Sequence, residues 1–465
     1  SNAYDSYYLA RPYLKAIQEG KYTTRELDEK VRRVLRLFYR TTMNRHRPHG
    51  FLCSDGHYAT ARQIAEEGIV LLQNRNRVLP INTQKVRHVL VVGENAIKMM
   101  TVGGGSSSLK VQREISPLQG LQARLAKDGV EVDFARGYVG DVTGAYNGVT
   151  TGQNLEDKRS EAELIAEAVE KAKAADCVIL FGGLNKSDYQ DCEGHDRQQY
   201  ELPYAQDKLI TALAAANKNF VYVNISGNAV AMPWRDKVPA IVQGWYLGSE
   251  AGEALTSVLT GDANPSGKLP FTWVKSLQNV GAHALNTYPG TWRKEGGSKT
   301  EGNIIDEEYK EGIYVGYRWA DREKQRPVFA FGHGLSYTQF AISNLRADKA
   351  SMTAADSITF TVQVKNIGQR AGSETVQLYV HDAKASVDRP LKELKGFSKV
   401  SLQPGESKDV SITLGKDALS FYDETTASWK AEPGLFEAWV GNASDNLKLR
   451  KSFQPVSYTH LTLPT

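Results

Sequence analysis

The residues most able to do chemistry lie in one short loop, Cys192-Glu-Gly-His-Asp-Arg197. The loop follows the apolar run Cys177–Gly183, which predicts a buried strand, and it carries the carboxylate of Glu193. In an open α/β sheet, ligands bind at the carboxyl ends of the strands. A loop glutamate that faces a sugar and is shielded from water can donate a proton, whereas a solvated one has no such role. Spacing alone leaves both possibilities open.

Four charged neighbours bear on the protonation of Glu193. Three carboxylates would raise its pKa and one guanidinium would lower it, so the sequence does not settle its charge. We predict that Asp196 and Arg197 form an ion pair that holds the loop. The four are Asp188, Asp191, Asp196 and Arg197.

Other catalytic chemistries find little support in the sequence. The loop Gly103–Ser108 lacks the Walker ending and the GxGxxG spacing, so it predicts a tight turn that lets another backbone or a sugar approach, and not a phosphate site. No serine lies in a GxSxG elbow, and the histidines lack HExxH-like spacing. Cys53, Cys177 and Cys192 form no disulfide framework and no metal-ligand pattern either.

Aromatic side chains are the remaining candidates for contact with a ligand. Several could form a surface on which a sugar stacks, although we expect most of them to pack in the core or between domains. They are Trp245, Tyr246, Tyr288, Trp292, Tyr314, Tyr317 and Trp319. Substrate-binding residues are left unassigned.

Composition bounds the class of protein. A chain of 465 residues is too long for one ordinary core, so two or three domains are expected. The 57 basic and 53 acidic residues are nearly balanced, and no Lys/Arg-dense stripe appears, which argues against nucleic acid as a partner. No apolar run approaches the roughly 20 residues that span a bilayer, so we expect no membrane partner.

The hydrophobic pattern predicts an α/β region after a helical N-terminus. Residues 1–50 form helices, one of them capped by Thr23 or Thr24, with an apolar stripe that needs another domain to pack against. From Tyr58 to Trp273 helices and short apolar strands alternate, which indicates a mainly parallel sheet with helices on both faces. The stripe comprises Leu27, Val31, Val34, Leu35 and Phe38. The predicted helices are 60–73, 160–174, 204–216 and 250–259, and the predicted strands are 89–93, 130–134, 177–183, 220–225 and 240–243.

A connector and an all-β region follow. The connector, from about Val274 to Gly334, is rich in Gly, Tyr and Trp, and a segment this long without regular elements is typically functional or wraps another domain. From Leu335 to about Phe453 short segments alternate apolar and polar residues between turn signals, which indicates an antiparallel β-sandwich. The fold class is therefore α/β plus all-β, an α/β/α sandwich followed by a β-sandwich.

Seven segments, in order, resemble glycoside hydrolase family 3. No single segment is decisive, but the series covers about residues 10–455 and is specific. The segments are Ala65-Glu-Glu-Gly-Ile-Val-Leu-Leu-Gln-Asn74 with Leu79-Pro80, Val102-Gly-Gly-Gly-Ser-Ser107, Glu193-Gly-His-Asp-Arg197 with Leu202-Pro203, Gly261-Asp-Ala-Asn-Pro-Ser-Gly-Lys-Leu-Pro270, Asn286-Thr-Tyr-Pro-Gly290, Tyr309-Lys-Glu-Gly-Ile-Tyr-Val-Gly-Tyr-Arg318 and Phe331-Gly-His-Gly-Leu-Ser-Tyr-Thr338.

The resemblance implies a division into domains. The family has an N-terminal TIM barrel, an α/β/α sandwich and often a fibronectin type III-like domain, and this sequence resembles only the part that follows the barrel proper. Residues 1–50 resemble the last helices of the barrel, and residues 51–275 the α/β/α sandwich. Residues 276–334 form the connector, 335–455 the fibronectin type III-like domain, and 456–465 an appended tail.

The resemblance also implies a function. Family members are retaining glycosidases that use a nucleophile and a general acid/base. The mechanism that the resemblance implies needs no cofactor, neither a metal nor an organic group. The pattern Glu-Gly-x-Asp-Arg assigns the acid/base to Glu193, near which Asp188 and Asp191 could be mistaken for it. The nucleophilic Asp belongs to the barrel, so we expect this chain alone to be inactive.

The expected activity is hydrolysis of terminal, non-reducing β-linked sugars, as in a β-glucosidase. A β-xylosidase of the same family, or a non-catalytic carbohydrate-binding or assembly module, is the alternative. The expected partners are a glycoside or oligosaccharide and the barrel, with a homodimer possible. The resemblance favours a periplasmic or secreted protein.

Overall fold

The structure is a computed structural model that describes residues 10–101, 104–106, 108–141, 151–193, 195–294, 304–353 and 356–455. The chain divides into two units, Ser1–His57 and Tyr58–Thr465. The predicted tail, residues 456–465, lies outside the described residues, as do Val102, Gly103, Ser107 and Gly194 of the two candidate loops. Among the helices that the structure describes, none is both long and apolar enough to span a bilayer.

The N-terminal unit contains two helices, α1 (Ala10–Gln18) and α2 (Thr24–Arg40). Thr23 caps α2, as predicted, and forms a capping box with Glu26, whose carboxylate accepts a hydrogen bond from the Thr23 backbone N–H at 3.1 Å. The predicted apolar stripe lies along α2 and its side chains are exposed, between 39% for Leu27 and 52% for Val34. That the stripe packs against another domain stays a prediction.

A six-stranded sheet forms the centre of the α/β region. Its order is β1-β6-β5-β4-β2-β3, and all neighbours are parallel except β1 and β6. This confirms the predicted, mainly parallel sheet. The strands are β1 (Val70–Asn74), β2 (His88–Val92), β3 (Glu131–Ala135), β4 (Cys177–Gly183), β5 (Phe220–Ile225) and β6 (Ala240–Gln243).

Helices cover both faces of this sheet. Successive side chains of a strand point to opposite faces, and these strands carry apolar side chains on both, so both faces are buried under helices. The clusters that pack on the two faces are separate. One includes Val91, Ile179, Leu121 and Val258, and the other includes Leu90, Leu180, Ala168 and Leu209. The helices of the region are α3 (Asp55–Gly68), α4 (Pro117–Leu125), α5 (Glu161–Ala174), α6 (Gln206–Ala216) and α7 (Ala251–Thr260).

The prediction of one helix over residues 60–73 is wrong in its second half. Helix α3 ends at Gly68, and Val70–Asn74 forms β1, which pairs with β6. The apolar run satisfies a helical and a strand pattern equally, and burial decides for the strand, since Val70, Leu71 and Leu72 are at most 1% exposed. Helix α4 was not predicted, although Ser116 and Gln119 form a capping box at its start.

The described residues of the connector form short elements and touch both larger regions. Its main chain returns to the α/β region, where the Trp273 N–H donates to the Phe329 carbonyl at 2.9 Å. The Tyr314 hydroxyl donates to Asp388 of the all-β region at 2.6 Å. The elements are α8 (Gly281–Ala284), β7 (Thr291–Trp292), β8 (Ile305–Asp306) and α9 (Tyr317–Arg322). The segment thus wraps the domains that flank it.

The all-β region is a sandwich of two sheets, as the period-two pattern predicts. One sheet has the order β10-β18-β17-β12-β13 and the other β14-β11-β9, with a shared core that includes Phe360, Leu378 and Phe436. The strands are β9 (Phe340–Ala347), β10 (Ser351–Met352), β11 (Ser357–Asn366), β12 (Gly372–Asp382), β13 (Glu393–Leu402), β14 (Ser407–Gly415), β15 (Phe421–Asp423), β16 (Ser428–Lys430), β17 (Phe436–Gly441) and β18 (Leu449–Pro455).

A polar joint ties the α/β region to the β-sandwich. The Lys268 ammonium contacts the Glu374 carboxylate at 2.7 Å and donates to the Gly334 carbonyl at 2.8 Å. The Asn264 amide donates to the Ala371 carbonyl at 2.9 Å, and its oxygen accepts from the Tyr337 N–H at 2.8 Å. Lys268 and Asn264 both belong to the segment Gly261–Pro270 that resembles the family, so this segment builds the joint.

Candidate active site

The order of the strands brings two loops together at the carboxyl edge of the sheet. From β2 the chain crosses to β3 on one side and then to β4 on the other side of β2. The loops after β2 and β4 therefore leave the sheet at a topological switch point, where open α/β sheets form ligand-binding crevices. The first loop contains Gly104, Gly105 and Ser106, and the second contains Glu193.

Glu193 is held directly by the loop that follows β2. The Ser106 N–H donates to the Glu193 carboxylate at 2.7 Å, and the Glu193 N–H donates to the Gly104 carbonyl at 2.7 Å. Gly105 has a φ of +108°, and a Cβ built there would lie 2.6 Å from the Glu193 Cβ. Only glycine permits this approach. The predicted tight turn thus brings one loop backbone against the other.

The Glu193 side chain is nevertheless exposed to solvent. Hydrogen bonds from the side chain and the N–H of Ser106 lower its pKa, because they stabilise the ionised form. The carboxylate is therefore held in its ionised form, without a proton. To donate one it must first be protonated, which removal from water favours.

Asp191 has a different environment from Glu193, although the two are close in sequence. Its carboxylate accepts hydrogen bonds from the Gly227 N–H at 2.7 Å, the Tyr246 hydroxyl at 2.9 Å and the Asn228 amide at 3.2 Å. These contacts fasten the loop to the end of β5 and to the segment after β6. Asp191 is thus a structural anchor, a role that the sequence did not reveal.

The predicted ion pair between Asp196 and Arg197 is wrong. Asp196 accepts a hydrogen bond from the Tyr288 hydroxyl of the connector, which raises the pKa of Tyr288 to about 12. Arg197 points the other way and donates to the Asn228 side chain at 2.8 Å and to the Ala229 carbonyl at 2.7 Å. Each of the two side chains finds its partner in another segment of the chain, so their proximity in sequence did not make them partners.

Three further polar side chains of this loop come together on its exposed side. The His195 Nδ1 lies 3.3 Å from the Asp188 carboxylate, and the Tyr189 ring stacks on the imidazole with 5.0 Å between centroids. The Cys192 thiol lies beside them, within 4.8 Å of the other two polar atoms. The positions of Asp188, Cys192 and His195 in the sequence did not indicate that the three side chains come together.

A buried ionic network underlies the site, and the sequence analysis missed it. Glu94, directly after β2, is 1% exposed and its carboxylate contacts Arg136 at 2.6 Å and Lys98 at 3.2 Å. It also accepts from the Gly140 N–H at 2.6 Å. One carboxylate thereby joins the segments that follow β2 and β3, so the edge beneath the loops is rigidly held.

Two of the seven aromatic candidates are buried, and the others are half-buried or, in the case of Tyr288, exposed. Tyr314 and Trp319 are buried, and the Trp245 indole donates to the Gly68 carbonyl. Tyr246 and Tyr288 contact the Glu193 loop, but they do so through Asp191 and Asp196. A cavity of about 200 Å³ also borders this loop, lined in part by Tyr189, Arg197, Glu201 and Tyr204. Since small-molecule sites typically enclose about 300–1,000 Å³, this cavity is too small for an oligosaccharide.

Comparison with known proteins identifies the two folded regions. The profile of the glycosyl hydrolase family 3 C-terminal domain matches residues 69–317, and that of the fibronectin type III-like domain matches residues 374–444. The crystal structure of a Bifidobacterium adolescentis family 3 β-glucosidase superposes with a TM-score of 0.81 at 32% identity, and the alignment covers 96% of this chain and 60% of that one.

Two curated relatives align with nearly the whole chain. A β-glucosidase of Bacteroides ovatus is 46% identical, with 97% of this chain and 59% of that protein covered. An exo-α-(1→6)-L-arabinopyranosidase of Bifidobacterium breve is 33% identical, with 93% of this chain and 53% of that protein covered. The chain therefore spans between half and three-fifths of the length of these relatives. The resemblance found in the sequence is confirmed, and the chain belongs to glycoside hydrolase family 3.

Proposed function

We propose that this chain carries the general acid/base of a retaining β-glucosidase, and that Glu193 is that residue. The observation that carries the proposal is the position of the Glu193 carboxylate: exposed, at the switch point of the sheet, and fixed by the loop that contains Ser106. Of the nearby carboxylates, Asp191 and Asp196 are engaged by hydrogen-bond donors of the protein. Asp188 contacts His195.

In the first step, a nucleophilic carboxylate attacks the anomeric carbon of the terminal sugar. The bond to the glycosidic oxygen breaks, and the protonated Glu193 carboxyl gives its proton to that oxygen as the leaving group departs. The product is a covalent glycosyl-enzyme ester and a free alcohol.

In the second step, the ionised Glu193 carboxylate takes a proton from water. The water oxygen attacks the anomeric carbon, the ester bond breaks, and the nucleophile is regenerated as a carboxylate. The hydrogen bonds from Ser106 stabilise ionised Glu193, the form in which this step begins, and they also make the carboxylate a weaker base.

The nucleophile is proposed to lie outside this sequence. The family resemblance assigns it to an Asp of the TIM barrel, and the chain spans 59% of the length of the Bacteroides ovatus relative. We therefore propose the barrel as the partner of the carboxyl edge of the sheet, with residues 1–50 as its last helices and residues 51–275 as the α/β/α sandwich. On this basis the chain alone does not turn over aryl β-glycosides.

The proposed substrate is a glycoside with a terminal, non-reducing β-linked glucose. The 46% identity to a β-glucosidase supports glucose. The arabinopyranosidase relative, at 33% identity, is the reason to test other sugars. An aryl-glycoside panel of β-glucoside, β-xyloside and α-L-arabinopyranoside, assayed with the enzyme that includes the barrel, measures this preference through kcat/KM.

The acid/base role is tested in the same complete enzyme with Glu193→Ala. We expect kcat/KM to fall by about 10²- to 10⁴-fold for poor leaving groups, and much less for activated ones, because only poor leaving groups need a proton. Added azide should restore turnover and yield the β-glycosyl azide. Glu170→Ala, which removes an exposed carboxylate from α5, is the matched control and should retain wild-type rates. Wild-type kinetics in Glu193→Ala would exclude the role.

A further inference from the structure

We propose that the loop after β4 binds a Zn²⁺ ion through Asp188, Cys192 and His195. Each residue offers one ligand atom: a carboxylate oxygen, the thiol sulfur and an imidazole nitrogen. These atoms all lie within 4.8 Å of one another, so one ion can bind all three after a small movement of a side chain. The inference uses none of the residues assigned to glycoside hydrolysis and stands independently of that function.

The separations fit the coordination geometry of zinc. Zinc bonds to nitrogen, oxygen and sulfur are about 2.0–2.3 Å long, so neighbouring ligands of a tetrahedral site lie about 3.3–3.8 Å apart. The contact between His195 Nδ1 and the Asp188 carboxylate, at 3.3 Å, already matches one such edge. An ion can therefore replace this contact without separating the two side chains.

The third ligand has to move only a short distance. The Cys192 side chain is half-buried, and its Sγ makes a long hydrogen bond of 3.5 Å to the His195 carbonyl. Zinc geometry requires the sulfur to move by at most about 1.5 Å toward the other two ligand atoms, which a rotation about the Cys192 side chain provides. On binding, the thiol releases its proton to solvent and the sulfur bonds to the ion as a thiolate.

The surrounding contacts hold the other ligands in place. The Tyr189 ring stacks on the His195 imidazole and fixes its plane. Asp191 anchors the centre of the loop through Gly227, Asn228 and Tyr246, between the first ligand and the second. Such support of ligand orientation from outside the coordination sphere raises the affinity of a metal site.

The ligand set selects a soft or borderline ion. Thiolate and imidazole favour Zn²⁺ and Cu, whereas Mg²⁺ and Ca²⁺ require mainly oxygen ligands. The side chains of Asp188 and His195 are 74% and 49% exposed, so the site opens to solvent and leaves a fourth position for water or another ligand. We therefore expect reversible binding rather than a permanently occupied structural centre.

Cobalt provides the direct test, because Co²⁺ replaces Zn²⁺ and absorbs light. Chelator-treated protein titrated with Co²⁺ should develop a thiolate-to-cobalt charge-transfer band in the near ultraviolet, and added Zn²⁺, but not Mg²⁺, should abolish it. Cys192→Ser should lose the band, and His195→Ala should weaken Co²⁺ binding at least about tenfold. Cys53→Ser is the matched control, since Cys53 is a free thiol that is not part of the proposed site, and it should keep the band.

A second measurement uses the unaltered protein and so does not depend on the folding of a variant. Zn²⁺ should slow alkylation of Cys192 by iodoacetamide, measured by peptide mass spectrometry, while alkylation of Cys53 in the same molecules stays unchanged. Absence of the cobalt band in the wild type, its persistence in Cys192→Ser, or equal alkylation of Cys192 with and without Zn²⁺ would each overturn the proposal.

Discussion

The Glu193 loop differs from the joint between the α/β region and the β-sandwich in the exposure of its charged side chains. Both contain segments that resemble the family. In the joint, the side chains of Lys268 and Glu374 are 14% and 7% exposed and neutralise each other. In the loop, the Glu193 carboxylate faces solvent and is held by Ser106. Lys268 and Glu374 therefore stabilise the structure, whereas the exposed Glu193 carboxylate can contact another molecule.

Breaking the ion pair of the joint should have the largest effect on stability. Lys268→Met leaves the Glu374 carboxylate buried without its cation, which typically costs about 3–5 kcal/mol. We expect the free energy of unfolding, measured with urea and tryptophan fluorescence, to fall by this amount. The double variant Lys268→Met with Glu374→Gln should recover most of the loss, because no buried charge is left unpaired. Equal losses in the single and double variants would contradict this account.

A smaller loss of stability is expected when the uncharged hydrogen bonds of the joint, those of Asn264, are removed. Asn264→Ala removes the hydrogen bonds to Ala371, Ser336 and Tyr337, each worth about 0.5–1.5 kcal/mol net. The free energy of unfolding should therefore fall by about 2–3 kcal/mol in the same urea experiment. Ser336→Ala, which removes one of these bonds to Asn264, should cost less than half as much. A larger loss in Ser336→Ala than in Asn264→Ala would show that Asn264 does not organise the joint.

The regular elements were predictable from sequence because burial and periodicity act locally. The strands Cys177–Gly183, Phe220–Ile225 and Ala240–Gln243 are found where the apolar runs predict them. Val70–Asn74 was wrongly predicted as helix, since only its pairing with the distant β6 distinguishes the two forms.

The side-chain partnerships of the site were much less predictable. The Glu193 loop could be located from the strand that precedes it, but its contact with Ser106 joins residues 87 positions apart. The partners of Asp191 and Arg197 come from the ends of other strands, which only the folded sheet brings near. The role of Glu193 itself stays a prediction.

Within the loop, Asp191 should contribute most to stability. Asp191→Asn replaces a carboxylate that accepts three hydrogen bonds by a neutral amide, and we expect a loss of about 1–2 kcal/mol. Hydrogen exchange should accelerate in residues 184–205 and not at the joint. Tyr246→Phe, which removes one donor, is the control and should have a smaller effect at the same positions. Unchanged exchange in both variants would show that the anchor lies elsewhere.

The smallest effect on stability should come from Glu193→Ala. This variant distinguishes the expected role of the loop from that of the joint most clearly. The side chain is exposed and its removal buries no unpaired group, so the unfolding midpoint should match that of the wild type. In the enzyme that includes the barrel, the same change should cost orders of magnitude in kcat/KM for poor leaving groups. Lys268→Met should show the reverse: a lowered unfolding midpoint, with kcat retained at temperatures where the protein is folded. If Glu193→Ala instead destabilised the fold as strongly as Lys268→Met, Glu193 would be a structural residue, and the contrast between the loop and the joint would fail.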